Sequence, residues 1–339
     1  MRRSRVGLGD VADWGNLMDA FGKAARGKRG RGDVEAYRAG LDREIERLRD
    51  GLLAGDLPVG RMRRFSIRDP KPRIIHAPSF RERVLHHALM NRMGPVLDRA
   101  LVFDSYACRV GKGALRAVHR VQHHLARSPW YAQIDIRHCF PSIGHDRLLA
   151  MLARKFSDHG LSALVERIIR AHEDGPGRGL PIGALTSQNF ANFYLAGVDR
   201  LVLRHPDSRG HVRYMDDLVW WGGDRSAVRR VLGEVVAFLG DALGLEVKTP
   251  WRVGRSRAGL VFCGYRIEPD RLLLSRRRKR RYAAGRKSTE EAFERGRIDA
   301  AALQRRMDAI LAITAHADAL TWRRAELARR PLVAAAAGA

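Results

Sequence analysis

The sequence predicts an α+β fold in which long amphipathic helices surround a few short antiparallel strands. Three observations predict it. Apolar residues recur at spacings of three and four through 34–53, 84–93 and 226–243, the period of a helix. Pairs of short apolar or β-branched runs flank turns at Asp69-Pro70-Lys71-Pro72 and at Met215-Asp216-Asp217, the pattern of a hairpin. A further run, WYAQIDI at 130–136, reads as a strand that ends in an acid.

The elements follow in chain order. Residues 1–32 are rich in Gly, Arg and Lys and read as a basic arm around a short helix at 16–25. Asp33 is placed to cap a helix over 34–53, with Val34, Tyr37, Leu41, Ile45, Leu48 and Leu52 on one face and Gly51 and Gly55 at its end. The hairpin RMRRFSIRDPKPRIIHAP comes next, with basic residues at and beside its tip. Ser79 and Glu82 have capping-box spacing. The helix after them carries Val84, Leu85, Ala88, Leu89 and Met93. Another helix is expected at 114–126, then the strand 130–136, helices at 146–156 and 161–171, a glycine-rich loop at 174–179 and a helix at 185–203. The hairpin 211–221 places its acids at the turn. A helix over 226–243 and short strands near 245–248 and 259–267 follow. From Ser275 onward the chain is basic and helical, and the tail PLVAAAAGA is expected to fray.

Charge narrows the class of partner. In 339 residues, Lys+Arg number 63 and Asp+Glu 37, a formal net charge of +26. Arginine carries nearly all of it. A field that positive points to a polyanion, most simply nucleic acid. Cys108, Cys139 and Cys263 are odd in number and widely spaced, which fits neither a disulfide framework nor a C-x-x-C metal site. No apolar leader segment opens the chain and no run of about 18 apolar residues crosses it. The expectation is a soluble cytoplasmic protein with no membrane partner.

The chemistry gathers at acids. A strand ending at Asp135 and a hairpin turn bearing Asp216 and Asp217 put two or three carboxylates within reach of one another. A divalent cation relieves their repulsion, and such a set can hold two metals for phosphoryl transfer. Asp-Asp alone is weak, since most such pairs are solvated turns. Its setting between apolar strands in an arginine-rich chain strengthens it.

Tyr214-Met215-Asp216-Asp217 resembles the active-site signature of reverse transcriptases. Asp135-Ile136-Arg137-His138-Cys139-Phe140-Pro141-Ser142-Ile143 resembles the first catalytic motif of the polymerase palm. Gly179-Leu180-Pro181-Ile182-Gly183-Ala184-Leu185-Thr186-Ser187-Gln188 resembles the second. Phe262-Cys263-Gly264-Tyr265 is similar to the F-L-G-Y element beside the primer, with Cys263 in place of Leu. Lys71-Pro72-Arg73 is similar to the fingers motif that meets the triphosphate. The resemblance runs from about residue 16 to 267. Most reverse transcriptases have Q-G followed by S-P in the second motif. Here Ile182-Gly183 and Ser187-Gln188 stand there, a pattern that resembles the reverse transcriptases of diversity-generating retroelements. Residues 83–88, 105–109 and 190–195 are similar as well.

That resemblance implies an enzyme that copies a template-repeat RNA into cDNA with errors at adenines, the product replacing a variable region of a target gene. It implies template RNA, an RNA–DNA hybrid and dNTPs as ligands, and a small helical accessory protein oligomer as partner. Asp135 and Asp216, with the carbonyl of Ile136, are the implied ligands of two Mg²⁺ ions, or of Mn²⁺, with Asp217 close by. Arg73 and Lys71 stand where phosphates are clamped, Lys71 being read equally well as a solvated turn residue. Phe140 is the implied gate against a 2′-hydroxyl. Ile182, Gly183 and Gln188 belong to the nucleotide site. Ile182 replaces a Gln and cannot hydrogen-bond, so it discriminates weakly. Lys248 reads either as a proton donor to pyrophosphate or as a surface strand-end lysine. Trp220 and Trp221 read as stacking platforms or as packing on the two sides of a sheet. The run 276–281 reads as a phosphate track or a solvated face. His119 and His123 lack the company that zinc requires.

The implied architecture is a right hand. Residues 1–60 form a basic helical segment and 61–127 the fingers. The palm, with an antiparallel sheet, takes 128–270, with a fingers insertion near 146–178. A helical basic thumb and tail take 271–339. Two rivals remain: a retron- or group II intron-type reverse transcriptase, and a non-catalytic RNA-binding protein on the same scaffold. The intact Asp135, Asp216 and Asp217 argue against the latter.

Overall fold

The N-terminal basic segment is part of the core. The computed structural model describes residues 3–68 and 72–331, and in it Leu8–Val11 and Trp14–Ala25 are helical. Leu17, Ala20 and Ala24 are fully buried on the side that meets the helix Phe80–Asp98. Asn16 donates to the Ala88 carbonyl at 3.1 Å across that contact. Asp19 and Lys23 stay exposed, so the segment is an amphipathic helix laid on the fold rather than an arm around one.

The helix expected over 34–53 is two helices, Gly32–Ala39 and Leu41–Ala54, broken at Gly40. The periodicity survives the break, since Val34, Tyr37, Ile45, Leu48 and Leu52 are all buried. Asp33 is not the cap. It sits in the first turn and pairs with Arg31 at 2.9 Å. Gly51 lies inside the second helix and Gly55, at φ 74°, closes it.

Strands β1 (Met62–Arg68) and β2 (Pro72–Pro78) form the expected hairpin, in register from Met62↔Pro78 to Arg68↔Pro72. Its turn, Asp69-Pro70-Lys71, lies outside the described residues. Ser79 caps the next helix by accepting from the Glu82 N–H at 3.3 Å. The reciprocal half of the box does not form: Glu82 accepts instead from the Gly60 N–H at 2.8 Å, tying the entry of the hairpin to its exit.

The central sheet contains β3 (Trp130–Asp135), β4 (Gly210–Tyr214), β5 (Asp217–Gly222) and β6 (Arg252–Arg255), all antiparallel, in the order β4-β5-β3-β6. The strand expected at 245–248 shrinks to one bridge, Ile136↔Val247, made by Arg137 N–H to Glu246 and Lys248 N–H to Asp135. Pro250 follows and has no N–H to extend it. One face of the sheet, with Ala132, Ile134, Leu218 and Trp220, joins the main core beside helices Ala196–Arg204 and Arg225–Ala237. The other, with Tyr131, Val212, Val219 and Trp221, forms a second core with the helix Ala114–Arg127. That helix, grouped with the fingers in the sequence, packs on this sheet.

The second core is closed by β7 (Leu260–Phe262), β8 (Tyr265–Ile267) and β9 (Leu272–Leu274). The single run 259–267 is therefore a hairpin. Cys263 and Gly264 turn it with φ of 45° and 81°, the two positive values a type I′ turn requires. The helix expected at 185–203 breaks at Leu195 into Leu185–Tyr194 and Ala196–Arg204. The one expected at 226–243 is Arg225–Ala237 followed by a wider turn, Phe238–Ala242. Those at 146–156 and 161–171 are His145–Ala153 and His159–Arg170. Helices Arg276–Glu294, Ala300–Ala312 and Leu320–Arg329 end the described chain. The tail from 332 on lies outside it. Among the described residues no helix is long and apolar enough to cross a membrane.

Candidate active site

The acids meet where the central sheet runs out of core. Side chains alternate faces along a strand, so Tyr131, Gln133 and Asp135 share one face of β3, and Asp217, Val219 and Trp221 share the matching face of β5. The register sets Tyr131 opposite Trp221, Gln133 opposite Val219 and Asp135 opposite Asp217. The Ile136 N–H donates to the Asp216 carbonyl at 3.1 Å, one step beyond that last pair. Asp135 and Asp217 are therefore a non-hydrogen-bonded pair, the kind whose Cα atoms approach to about 4.5 Å. Tyr214 and Asp217 close the hairpin over the two-residue turn Met215-Asp216. Met215 sits at φ 55°, a region that favours glycine.

Crowding perturbs these groups. Burial pushes the Asp217 carboxyl up to about 7, a hydrogen bond from Gln133 Nε2 at 2.9 Å draws it back, and the charges of Asp135 and Asp216 push it further up. Asp216 is also raised, by burial and then by Asp135, while Lys248 and Arg73 oppose the rise. The Lys248 ammonium is ion-paired with Asp135. Burial pushes the Cys139 thiol up to about 12, reinforced by Asp216, and raises Cys263, reinforced by Asp217.

Among the described residues no three His, Cys, Asp or Glu side chains form a ready-made metal cage. The donors that do gather are hard oxygens: the three carboxylates, and the Ile136 carbonyl, which accepts no hydrogen bond among the described residues. That donor set suits Mg²⁺ or Mn²⁺. Two carboxyls raised by burial, and further by their neighbours' charges, are what a divalent cation would reverse. The residues present fit such an ion.

The second motif, 179–188, lies along the first, 135–143. Leu180 N–H donates to the Phe140 carbonyl at 3.0 Å, and Gly179 N–H to Ile143 at 2.9 Å. Phe140, in the helical turn Cys139–Ser142, is half-buried against the main core. The Ile182 carbonyl accepts from the His76 N–H of β2 at 2.8 Å. Gly183 has φ of 120°, and a Cβ there would lie 2.9 Å from the His76 carbonyl oxygen. Gln188 Oε1 is 3.3 Å from Cys108 Sγ. Arg73, exposed on β2, is close enough to Asp216 to oppose its rise. Lys71 lies outside the described residues.

Other candidates resolve toward structure. Trp220 and Trp221 are fully buried on opposite faces of the sheet, so both are packing. In the run 276–281, Arg278 lies 3.9 Å from the Tyr265 ring centroid and bonds to the Ile313 carbonyl, whereas Arg276, Arg280 and Arg281 are exposed. His119 is exposed, and His123 faces Arg127 at 2.7 Å. Sequence reading missed Gln133 and Arg213. Gln133 was readable from the period of two, being on the face of Asp135. Arg213 was a charge inside an apolar strand two residues before the turn.

The sequence profile described as reverse transcriptase (RNA-dependent DNA polymerase) matches residues 67–250, which contain all of these acids. The putative COX1/OXI3 intron 1 protein of Saccharomyces cerevisiae is 28% identical over 149 residues, 42% of this chain and 17% of that protein. The group II intron-encoded protein LtrA of Lactococcus lactis is 24% identical over 168 residues, 47% of this chain and 28% of LtrA. Protein YkfC of Escherichia coli is 24% identical over 270 residues, 66% of this chain and 71% of YkfC. The alignments thus span less than a third of either intron-encoded relative.

Proposed function

This chain belongs to the reverse transcriptase (RNA-dependent DNA polymerase) family, and from that premise we propose that it copies a template-repeat RNA into adenine-mutagenised cDNA that diversifies a target gene. The observation that carries the polymerase reading is the Asp135–Asp217 pair at the end of the sheet, with Asp216 in the adjoining turn. Asp135, Asp216 and the Ile136 carbonyl would hold two divalent ions, with Asp217 supporting them. When bound, the ions supply activation of the primer 3′-hydroxyl and neutralisation of the triphosphate. Arg73 offers a bidentate fork to a phosphate and Lys71 a point charge. Phe140 occupies the floor under the sugar and excludes a 2′-hydroxyl. Lys248, which pairs with Asp135, would give a proton to the leaving pyrophosphate.

The mutagenic part is supported by the Ile182-Gly183…Ser187-Gln188 pattern. The Ile182 backbone is held by His76, and its side chain offers the nascent base pair only an apolar contact, which discriminates weakly. Template RNA, dNTPs and a small helical accessory protein oligomer complete the proposed cytoplasmic system. A second reading, an intron-type reverse transcriptase, is favoured by the intron-encoded proteins among its relatives.

The test is to sequence cDNA made by the chain co-expressed with its neighbouring small reading frame and non-coding RNA, beside Asp216→Asn. Errors concentrated at template adenines support the proposal, and Ile182→Gln should reduce them. Accurate cDNA moves the chain to the intron or retron reading. RNA binding without cDNA, with the partner present, sinks the polymerase.

A further inference from the structure

Arg213 is the most deeply placed cation beside the site. It lies on β4 two residues before Met215 and is 0% exposed, as is its partner Asp199 on the helix Ala196–Arg204. All five of its N–H donors are used. Nε donates to Asp199 Oδ1 at 2.7 Å. Nη2 donates to Asp199 Oδ2 at 2.7 Å and to the Asn192 carbonyl at 3.2 Å. Nη1 donates to Asn192 Oδ1 at 2.9 Å and to the Met215 carbonyl at 3.2 Å. Asn192 in turn donates to the Ala107 carbonyl at 2.7 Å, and the Arg213 backbone pairs with Asp104 and Tyr106.

We propose that Arg213 is a positioning residue for the catalytic turn, a buried fork that fixes Met215, and through it Asp216, against the helix Leu185–Tyr194 and the segment 104–107. The inference rests on the polymerase reading of that turn. Stability alone gives no reason for the arrangement, because a buried ion pair is commonly replaceable by apolar residues of similar size without loss. Apolar residues offer no donor to the Met215 carbonyl. The turn needs one, since Met215 holds a positive φ that a side chain disfavours. Lysine would match the charge of Asp199 but not reach three acceptors in one plane.

The test compares wild type, the double variant Arg213→Met/Asp199→Leu and Arg213→Lys in the full chain. The readouts are primer-extension kcat, KM for dNTP, RNA affinity, Tm and amide exchange at Met215 and Asp216. Loss of the tether should speed that exchange in both variants. It should lower kcat by about 100-fold, the cost of misplacing a reacting group by about 1 Å. KM and RNA affinity should stay within about threefold, the pattern of an interaction that acts in the transition state. Wild-type exchange and kcat in a folded double variant would overturn the proposal. So would a kcat loss matched by equal losses of RNA affinity and Tm. If the double variant does not fold, Arg213→Lys decides by the same two readouts. A wild type that extends no primer on RNA refutes the polymerase reading instead, while the exchange data still decide whether Arg213 holds the turn.

Discussion

Replacing Gly183 with alanine should unseat the β1–β2 hairpin from the site. At φ 120° an L side chain is strained, and the added Cβ would stand 2.9 Å from both the His76 carbonyl oxygen and Ile75 Cγ2. The loop has two ways out. It rotates to a permitted φ and loses the 2.8 Å bond from His76 N–H to the Ile182 carbonyl, or β2 backs away. Strain of this kind costs about 1–3 kcal/mol, and a lost backbone bond about 0.5–1.5 kcal/mol. The total, about 2–4 kcal/mol, falls on the contact that seats Arg73 beside Asp216. Since 1.4 kcal/mol is tenfold, KM for dNTP should rise by about thirty- to seven-hundredfold if the whole cost falls on that contact. Amide exchange through 72–78 should speed up, with RNA affinity unchanged. Gly233→Ala is the control: it lies in the helix Arg225–Ala237, a Cβ there meets nothing within 4 Å, and helix propensity favours it by about 1 kcal/mol. A Gly183→Ala enzyme with wild-type KM and exchange would refute the coupling of hairpin to loop.

Two further outcomes follow from buried groups. Burial pulls His86 and His124 down to about 4. Their folded values lie below the unfolded value near 6.5. The stability they contribute is therefore complete above pH 6.5 and is lost as pH falls toward 4, by up to about 3 kcal/mol each at 1.36 kcal/mol per unit. His124→Phe keeps the stack on Trp221, 4.7 Å between centroids, and should flatten the fall of Tm between pH 6.5 and 4.5; an equally steep fall counts against this. Phe140→Val should reduce the preference for dNTP over rNTP by about tenfold or more, as removing a steric clash of over 1.4 kcal/mol would. Unchanged discrimination in single-nucleotide extension removes Phe140 from the gate.

Much of this fold was legible from local pattern, and the failures share a cause. The helices with apolar stripes formed where the spacing placed them, and the paired runs of both hairpins formed antiparallel strands. The breaks at Gly40 and Leu195 were not legible, because the apolar spacing continues across each. β6, four residues long, exists by pairing with the remote strand β3, which no local pattern records, and β9, though it pairs with its neighbour β8, is three residues long, too short to show a period. The helix at 14–25 was expected at 16–25, but its place in the core was not legible, because the charges around it are conspicuous and its buried face is mostly alanine. At the site, Asp135, Asp216 and Asp217 were legible as a group, since strand ends and turns locate them. Arg213 was not, because a charge in a strand reads as a solvent-facing residue unless its partner is known, and Asp199 lies on another element.

The central sheet changes character within two residues. The face that buries Tyr131 and Trp221 presents Gln133 next and Asp135 opposite Asp217 after that, so the carboxylates stand on a rigid floor yet half out of water. Such a floor fixes geometry at the expense of stability, as functional sites commonly do. Lys248 offsets part of that repulsion by pairing with Asp135, about half exposed. A divalent ion held at the same carboxylate would make that pairing redundant and would free the ammonium for another anion. Lys248→Met should therefore lower Tm without divalent ions and enlarge the Tm gain on adding Mg²⁺, because a larger repulsion remains for the ion to relieve. It should also slow extension at saturating Mg²⁺ and dNTP if the freed ammonium protonates pyrophosphate. An equal Mg²⁺ gain in both proteins would mean that Lys248 and the ion do not share Asp135, and an unchanged rate would return Lys248 to a surface role.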